Sequence, residues 1–177
     1  VPGGVQFHIR DFALELLERG HDVKVLTPAK DTTDLPEWIT AVGSSVAIPF
    51  NGSVARLSFS PIANSRTKKW LEEGDFDVLH VHEPEVPSIS MLALRAATVP
   101  VIGTFHAALD DSFSRSASSP ALDPLLEKLA ARIAVSSEAR RTLVEHHGGD
   151  AVIIPNGVDT HFFAQAEPKE EWAATDD

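Results

Sequence analysis

The sequence predicts an α/β fold built on an open, doubly wound, mostly parallel sheet. Short, nearly continuous apolar runs alternate with amphipathic stretches along the chain. That order buries parallel strands under helices on both faces. Most runs are closed by Pro, Gly or an Asn-Gly pair, the residues that interrupt regular structure. At 177 residues, 43% hydrophobic and 23% charged, the chain is about one ordinary globular domain with a real core.

Taken in order, Val5, Ile9, Phe12, Ala13, Leu16 and Leu17 recur at helical spacing, and Gly20 follows as a stop. Residues 22–27 are β-branched and read as a strand; residues 45–48 read as a shorter one ending at Pro49. Residues 68–73 belong to a helix that buries Trp70 and Leu71. A strand over 78–82 ends at Glu83-Pro84, and Ile89, Leu92, Ala93 and Ala96 mark the next helix. After Pro100 come strands over 101–105 and 132–135. Ser136 caps a helix with Glu138 in its first turn, running to about His147 and stopping at Gly148-Gly149. A last strand over 151–154 ends at Pro155-Asn156-Gly157, and from Ala164 the pattern gives way to a charged tail. The chain enters its first helix directly from Pro2-Gly3-Gly4, where a doubly wound fold places a central first strand. The expectation is that this strand is missing from the sequence.

Composition excludes several functions. A formal net charge of −11 argues against a nucleic-acid binder, which needs a basic footprint. With no Cys there is no disulfide framework and no thiolate chemistry. The longest apolar candidate for a membrane span, residues 89–105, is broken by Arg95 and Pro100. The start lacks the basic and apolar regions of a signal peptide, which fits a cytoplasmic protein.

Five places carry residue types suited to chemistry. Gly3 and Gly4 precede the first helix, so they form either a tight turn or a helix N-terminus open to an anion, with Gln6 able to add a hydrogen bond. Asn51-Gly52-Ser53, with Arg56 nearby, is either a surface turn or a grip on a phosphate or polyol. His80 and His82 share one strand face beside Glu83 but show no third ligand at metal spacing. Both lie at a strand's carboxyl end, where open α/β sheets bind ligands. His106 ends the run Gly103-Thr104-Phe105-His106, either as a structural histidine or as one that holds a sugar hydroxyl or moves a proton. Arg66, Lys68 and Lys69 precede Trp70 and Leu71, as a solvated helix face or a contact with anionic lipid.

These pieces occur together and in order: Pro2-Gly-Gly-Val-Gln6, Pro49-Phe-Asn-Gly-Ser53, the stretch 75–84 containing His80 and His82, Thr104-Phe-His106 and Ile154-Pro-Asn-Gly-Val-Asp159. Over residues 1–163 the chain resembles the N-terminal, Rossmann-like acceptor domain of retaining GT-B glycosyltransferases of family 4. Its middle loops are most similar to those of the phosphatidyl-myo-inositol mannosyltransferase subfamily. The resemblance implies transfer of mannose from GDP-mannose to an inositol hydroxyl of phosphatidylinositol, with no tightly bound cofactor and divalent-cation assistance left open. It implies that Gly4 approaches the donor diphosphate while Gly3 makes the turn. It places Gln6, Asn51, Ser53 and Arg56 around the inositol phosphate, and His106 beside the transferred sugar. Arg66, Lys68 and Lys69 would hold an anionic membrane surface, on the inner face of the cell membrane.

Phe50 stands where the pattern has Tyr, and residues 109–119 depart from it. Residues 164–177 read as a linker, and the C-terminal donor-binding domain is expected to be absent from this chain, which alone would then be inactive. Two alternatives remain at this stage: a family 4 transferase with another nucleotide sugar or a soluble acceptor, and a non-catalytic nucleotide-binding α/β module. A dehydrogenase is disfavoured, because there is no G-x-G-x-x-G and no acidic residue closes the strand over 22–27.

Overall fold

The computed structural model describes residues 3–29, 34–43, 46–50, 53–57, 59–106 and 122–165, with the side chains of 46–50 and 53–57 outside that description. The elements are α1 (Gly4–Glu18), β1 (Val25–Thr27), β2 (Ile39–Ala41), β3 (Val46–Phe50), β4 (Ser53–Leu57), α2 (Pro61–Gly74) and β5 (Leu79–His82). They continue with α3 (Ile89–Ala96), β6 (Val101–Phe105), α4 (Asp123–Leu126), β7 (Leu129–Ala134), α5 (Ser137–His147), β8 (Val152–Ile153) and α6 (Thr160–Ala164).

The centre is a four-stranded parallel sheet in the order β5-β6-β7-β8. Alternation across each strand assigns its faces. Leu79 and Val81 of β5, with Val101 and Phe105 of β6, enter a core shared with Leu94 of α3, Leu126 of α4 and Leu143 of α5. Trp70 and Leu71 pack against that core from α2, as their spacing predicts. The opposite face carries His80, His82 and Thr104, and α1 lies over it through Phe12 and His8. Helices therefore cover both faces of a parallel sheet, as the alternation of runs requires.

Local chemistry explains the helix ends. Ser60 caps α2 by accepting from Ala63 N at 3.1 Å, with Pro61 in the first turn, where its missing N–H costs nothing. Asp75 ends α2 in the left-handed region at φ 46. Ser136 caps α5 by accepting from Ala139 N, and Glu138 sits in its first turn. Gly148 follows α5 at φ 67, a conformation glycine adopts without steric cost.

Four expectations change. The strand expected over 22–27 begins only at Val25, and it pairs in parallel with β2, which the sequence did not announce. The strand expected to end at Pro49 continues to Phe50 and pairs antiparallel with β4, with Phe50 opposite Ser53. The strand expected over 132–135 begins at Leu129, and that over 151–154 contracts to two residues. Residues 160–164, to which the sequence reading assigned no element, form a short helix capped by Asp159, which accepts from Phe162 N at 2.9 Å. Among the described residues no helix is long and apolar enough to cross a membrane.

Candidate active site

Strand alternation brings the site together. His80 and His82 flank Val81, so both rings stand on the α1 side of the sheet, stacked with centroids 4.5 Å apart. One residue past β6, His106 emerges on the same side. Its Nε2 lies 2.9 Å from His82 Nδ1, so one ring donates its N–H and the other accepts. His80 Nε2 pairs in the same way with Thr104 Oγ1 at 2.7 Å.

The first helix completes the cluster. Phe12 meets His80 edge-on, and His8 sets its ring 5.7 Å from that of His82 and 5.3 Å from that of His106. His8 follows Gly4 by four residues, so the two share one helix face one turn apart. The N-terminus of α1 is thereby aimed at the carboxyl ends of β5 and β6. Its first N–H groups lack intrahelical partners and carry the positive end of the helix dipole, a setting that attracts anions.

The glycines divide their tasks. A Cβ on Gly3 would meet Gln6 Oε1 at 2.8 Å, whereas one on Gly4 would meet nothing within 4 Å. A side chain on Gly3 would have to displace the Gln6 amide, whereas Gly4 leaves open space over the helix end. Gln6 accepts from Gly3 N at 2.7 Å, half of a capping box. Its oxygen is engaged in folding the turn, which leaves the amide N–H2 for any ligand.

Electrostatics favour neutral rings. Burial first, then the neighbouring His8 and His80, push His106 down to about 4. Burial, then His8, takes His80 to about 4 as well. His82 is lowered further, by burial and by His80, His106 and His8 together. His8 is lowered by burial, against a smaller opposing effect of Asp11. His106 is therefore a neutral hydrogen-bonding group near pH 7 rather than one poised to exchange a proton there.

The other sequence-predicted residues lie elsewhere. Asn51 falls outside the described residues; Ser53 and Arg56 lie in β4, with side chains outside the description. On α2, Arg66 donates to the Val42 carbonyl at 3.0 Å, and Lys69 pairs with Glu73 at 3.7 Å. Lys68 faces a cleft of about 730 Å³ between α2 and α3, lined also by Phe59, Leu71, Leu92 and Arg95. This cleft shares no residue with the histidine cluster. The exposed apolar neighbours of the basic residues are Phe59 and Ile62, not Trp70 and Leu71, which the core claims.

Sequence reasoning missed His8 and Glu85. His8 occupies the apolar stripe of α1 between Val5 and Phe12, and a polar ring on that stripe is the signal that marks it. Glu85 is buried just after the strained Glu83, whose φ is 50.

Residues 2–162 match the family model for Glycosyltransferase Family 4. The chain is 52% identical over 166 residues, 94% of its length, to a phosphatidyl-myo-inositol mannosyltransferase of Mycolicibacterium smegmatis, covering 43% of that protein. It is 35% identical over 97% of its length to a protein of the same name from Propionibacterium freudenreichii, covering 47% of it. To a D-inositol 3-phosphate glycosyltransferase of Geodermatophilus obscurus it is 27% identical, over 93% of this chain and 41% of the relative. The chain thus spans less than half the length of these curated relatives. With a parallel sheet, a glycine-opened helix end aimed at its carboxyl edge, and a family match over nearly its whole length, the chain belongs to glycosyltransferase family 4.

Proposed function

We propose that the protein to which this chain belongs transfers mannose from GDP-mannose to an inositol hydroxyl of phosphatidyl-myo-inositol, with retention at the anomeric carbon. The observation that carries this reading is the contrast among relatives. Identity is 52% to a phosphatidyl-myo-inositol mannosyltransferase and 27% to a D-inositol 3-phosphate glycosyltransferase, over similar shares of this chain.

In this reading residues 1–163 are the acceptor-side domain, 164–177 the linker, and sequence beyond this span supplies the donor-binding domain. Exposed Val158, Phe162 and Phe163 form an apolar run that suits cover by such a neighbour. Gly4 admits the donor diphosphate to the first-turn N–H groups of α1, which neutralise charge as the sugar–phosphate bond breaks. His106, neutral, hydrogen-bonds the transferred mannose. Gln6, Asn51, Ser53 and Arg56 surround the inositol phosphate. Arg66, Lys68 and Lys69, beside exposed Phe59 and Ile62, hold the protein on the anionic inner face of the cell membrane. No tightly bound cofactor takes part in this scheme.

The acceptor decides the reading. Full-length protein is given labelled GDP-mannose with either phosphatidylinositol vesicles or soluble inositol 3-phosphate. Label entering the lipid is the expected result; label entering only the soluble acceptor overturns the lipid assignment and keeps the family.

A further inference from the structure

We propose that His8, His82 and His106 form a binding site for a borderline divalent transition ion such as Zn²⁺, with its fourth position open. One ring nitrogen of each lies within 4.8 Å of the others. A tetrahedral site with Zn–N of about 2.0–2.1 Å needs its nitrogens roughly 3.3 Å apart. His82 Nδ1 and His106 Nε2 stand at 2.9 Å, so that pair opens slightly and His8 closes in, movements on the scale of ring rotation. The ion takes the place of the hydrogen bond between the two rings; the ring that donates it shifts its proton to its other nitrogen, so both bind as neutral imidazoles.

The donor set and its supports argue for this chemistry. Three imidazoles and no carboxylate suit Zn²⁺, Co²⁺ or Ni²⁺ and disfavour Mg²⁺ and Ca²⁺, which take oxygen ligands. The rings come from three different elements, one helix and two adjacent strand ends, so no two of them need a flexible loop to meet. His82 is further held by its stack on His80. Their lone pairs are available because burial disfavours the imidazolium form. The sequence showed only His80 and His82 on one strand; the structure turns the second of these toward two partners from other elements.

One consequence rests on the transferase reading. An ion on His106 Nε2 competes with the mannose contact for the same ring, so such ions inhibit transfer and a chelator restores it. Metal binding itself does not depend on that reading, and spectroscopy separates the two.

Chelator-stripped full-length protein is titrated with Co²⁺, whose visible d–d absorption distinguishes tetrahedral from octahedral coordination. The expected result is a tetrahedral spectrum displaced by Zn²⁺, with affinity reduced at least about 100-fold in His8→Gln and in His82→Gln. X-ray absorption of the wild-type Zn²⁺ complex reads the ligands without any variant, and three imidazoles are expected. An octahedral spectrum in wild type, fewer than three imidazoles, or unchanged binding in both folded variants overturns the proposal. Binding without inhibition of transfer would leave the site standing and overturn the competition at His106.

Discussion

Replacing Glu85 by Gln should make the protein more stable near neutral pH, and the structure sets the size. Glu85 is only 4% exposed, and its Oε2 has no hydrogen-bond partner among the described residues. Burial, with the Glu83 carboxylate adding to it, raises its pKa from 4.5 to about 8. The folded state thus holds a proton that the unfolded chain releases. The stability this contributes is complete below pH 4.5 and is lost as pH rises through about 8. Between those values the loss is about 1.4 kcal/mol per pH unit, or roughly 3 kcal/mol from pH 4.5 to pH 7. Glu85→Gln removes the titration, while its amide costs about 1–3 kcal/mol wherever its N–H groups find no acceptor. Urea unfolding of wild type and variant at about pH 5 and about pH 7.5 reads the difference. The variant should gain at least about 2 kcal/mol on wild type between the two conditions. Parallel stabilities at both pH values would refute the buried, protonated carboxyl.

Three further outcomes follow from named contacts. Gly4→Ala should fold with stability within about 1 kcal/mol of wild type, because its Cβ meets open space. Transfer should nevertheless fall at least about 10-fold in a steady-state assay, since the methyl group occupies the approach to the helix end. Replacing Lys68 and Lys69 by Ala should weaken binding to anionic vesicles about 30-fold at low salt, at about 1 kcal/mol per Lys. Sedimentation with vesicles measures it, and the difference should shrink as salt is added. Leu94→Ala should cost about 2–5 kcal/mol in denaturant unfolding, because Leu94 is 0% exposed in the core between α3 and the sheet.

Legibility followed the strength of local patterning. The helix α1 and the strands β5 and β6 were readable because each carries its own period and punctuation. Val101 to Phe105 follows Pro100, and the stripe from Val5 to Leu17 is unbroken apart from His8. The three-residue β2 has too few positions to show alternation, and β4 reads as a polar loop because Ser53 and Arg56 suit a ligand. Four-residue α4 is shorter than one heptad and carries Pro124 in its first turn. The strand-end histidines were found by position, since His80, His82 and His106 each lie at or just past a carboxyl end. What spacing could not show was their meeting with His8, which depends on how α1 crosses the sheet. Nor could it show that burial, with the neighbouring rings adding to it, keeps His106 neutral, or that Arg66 is tied to the Val42 carbonyl.

Under the proposed function, His106 contacts the transferred mannose at the carboxyl edge of this sheet. That contact is tested most directly by measuring label transfer from GDP-mannose to phosphatidylinositol vesicles with full-length wild type and His106→Ala. The expected result is lipid-linked mannose from wild type and a fall of at least about 100-fold in the variant, with folding and vesicle binding intact. Equal transfer by both proteins would contradict the placement of His106, and no transfer by folded wild type would contradict the substrate assignment.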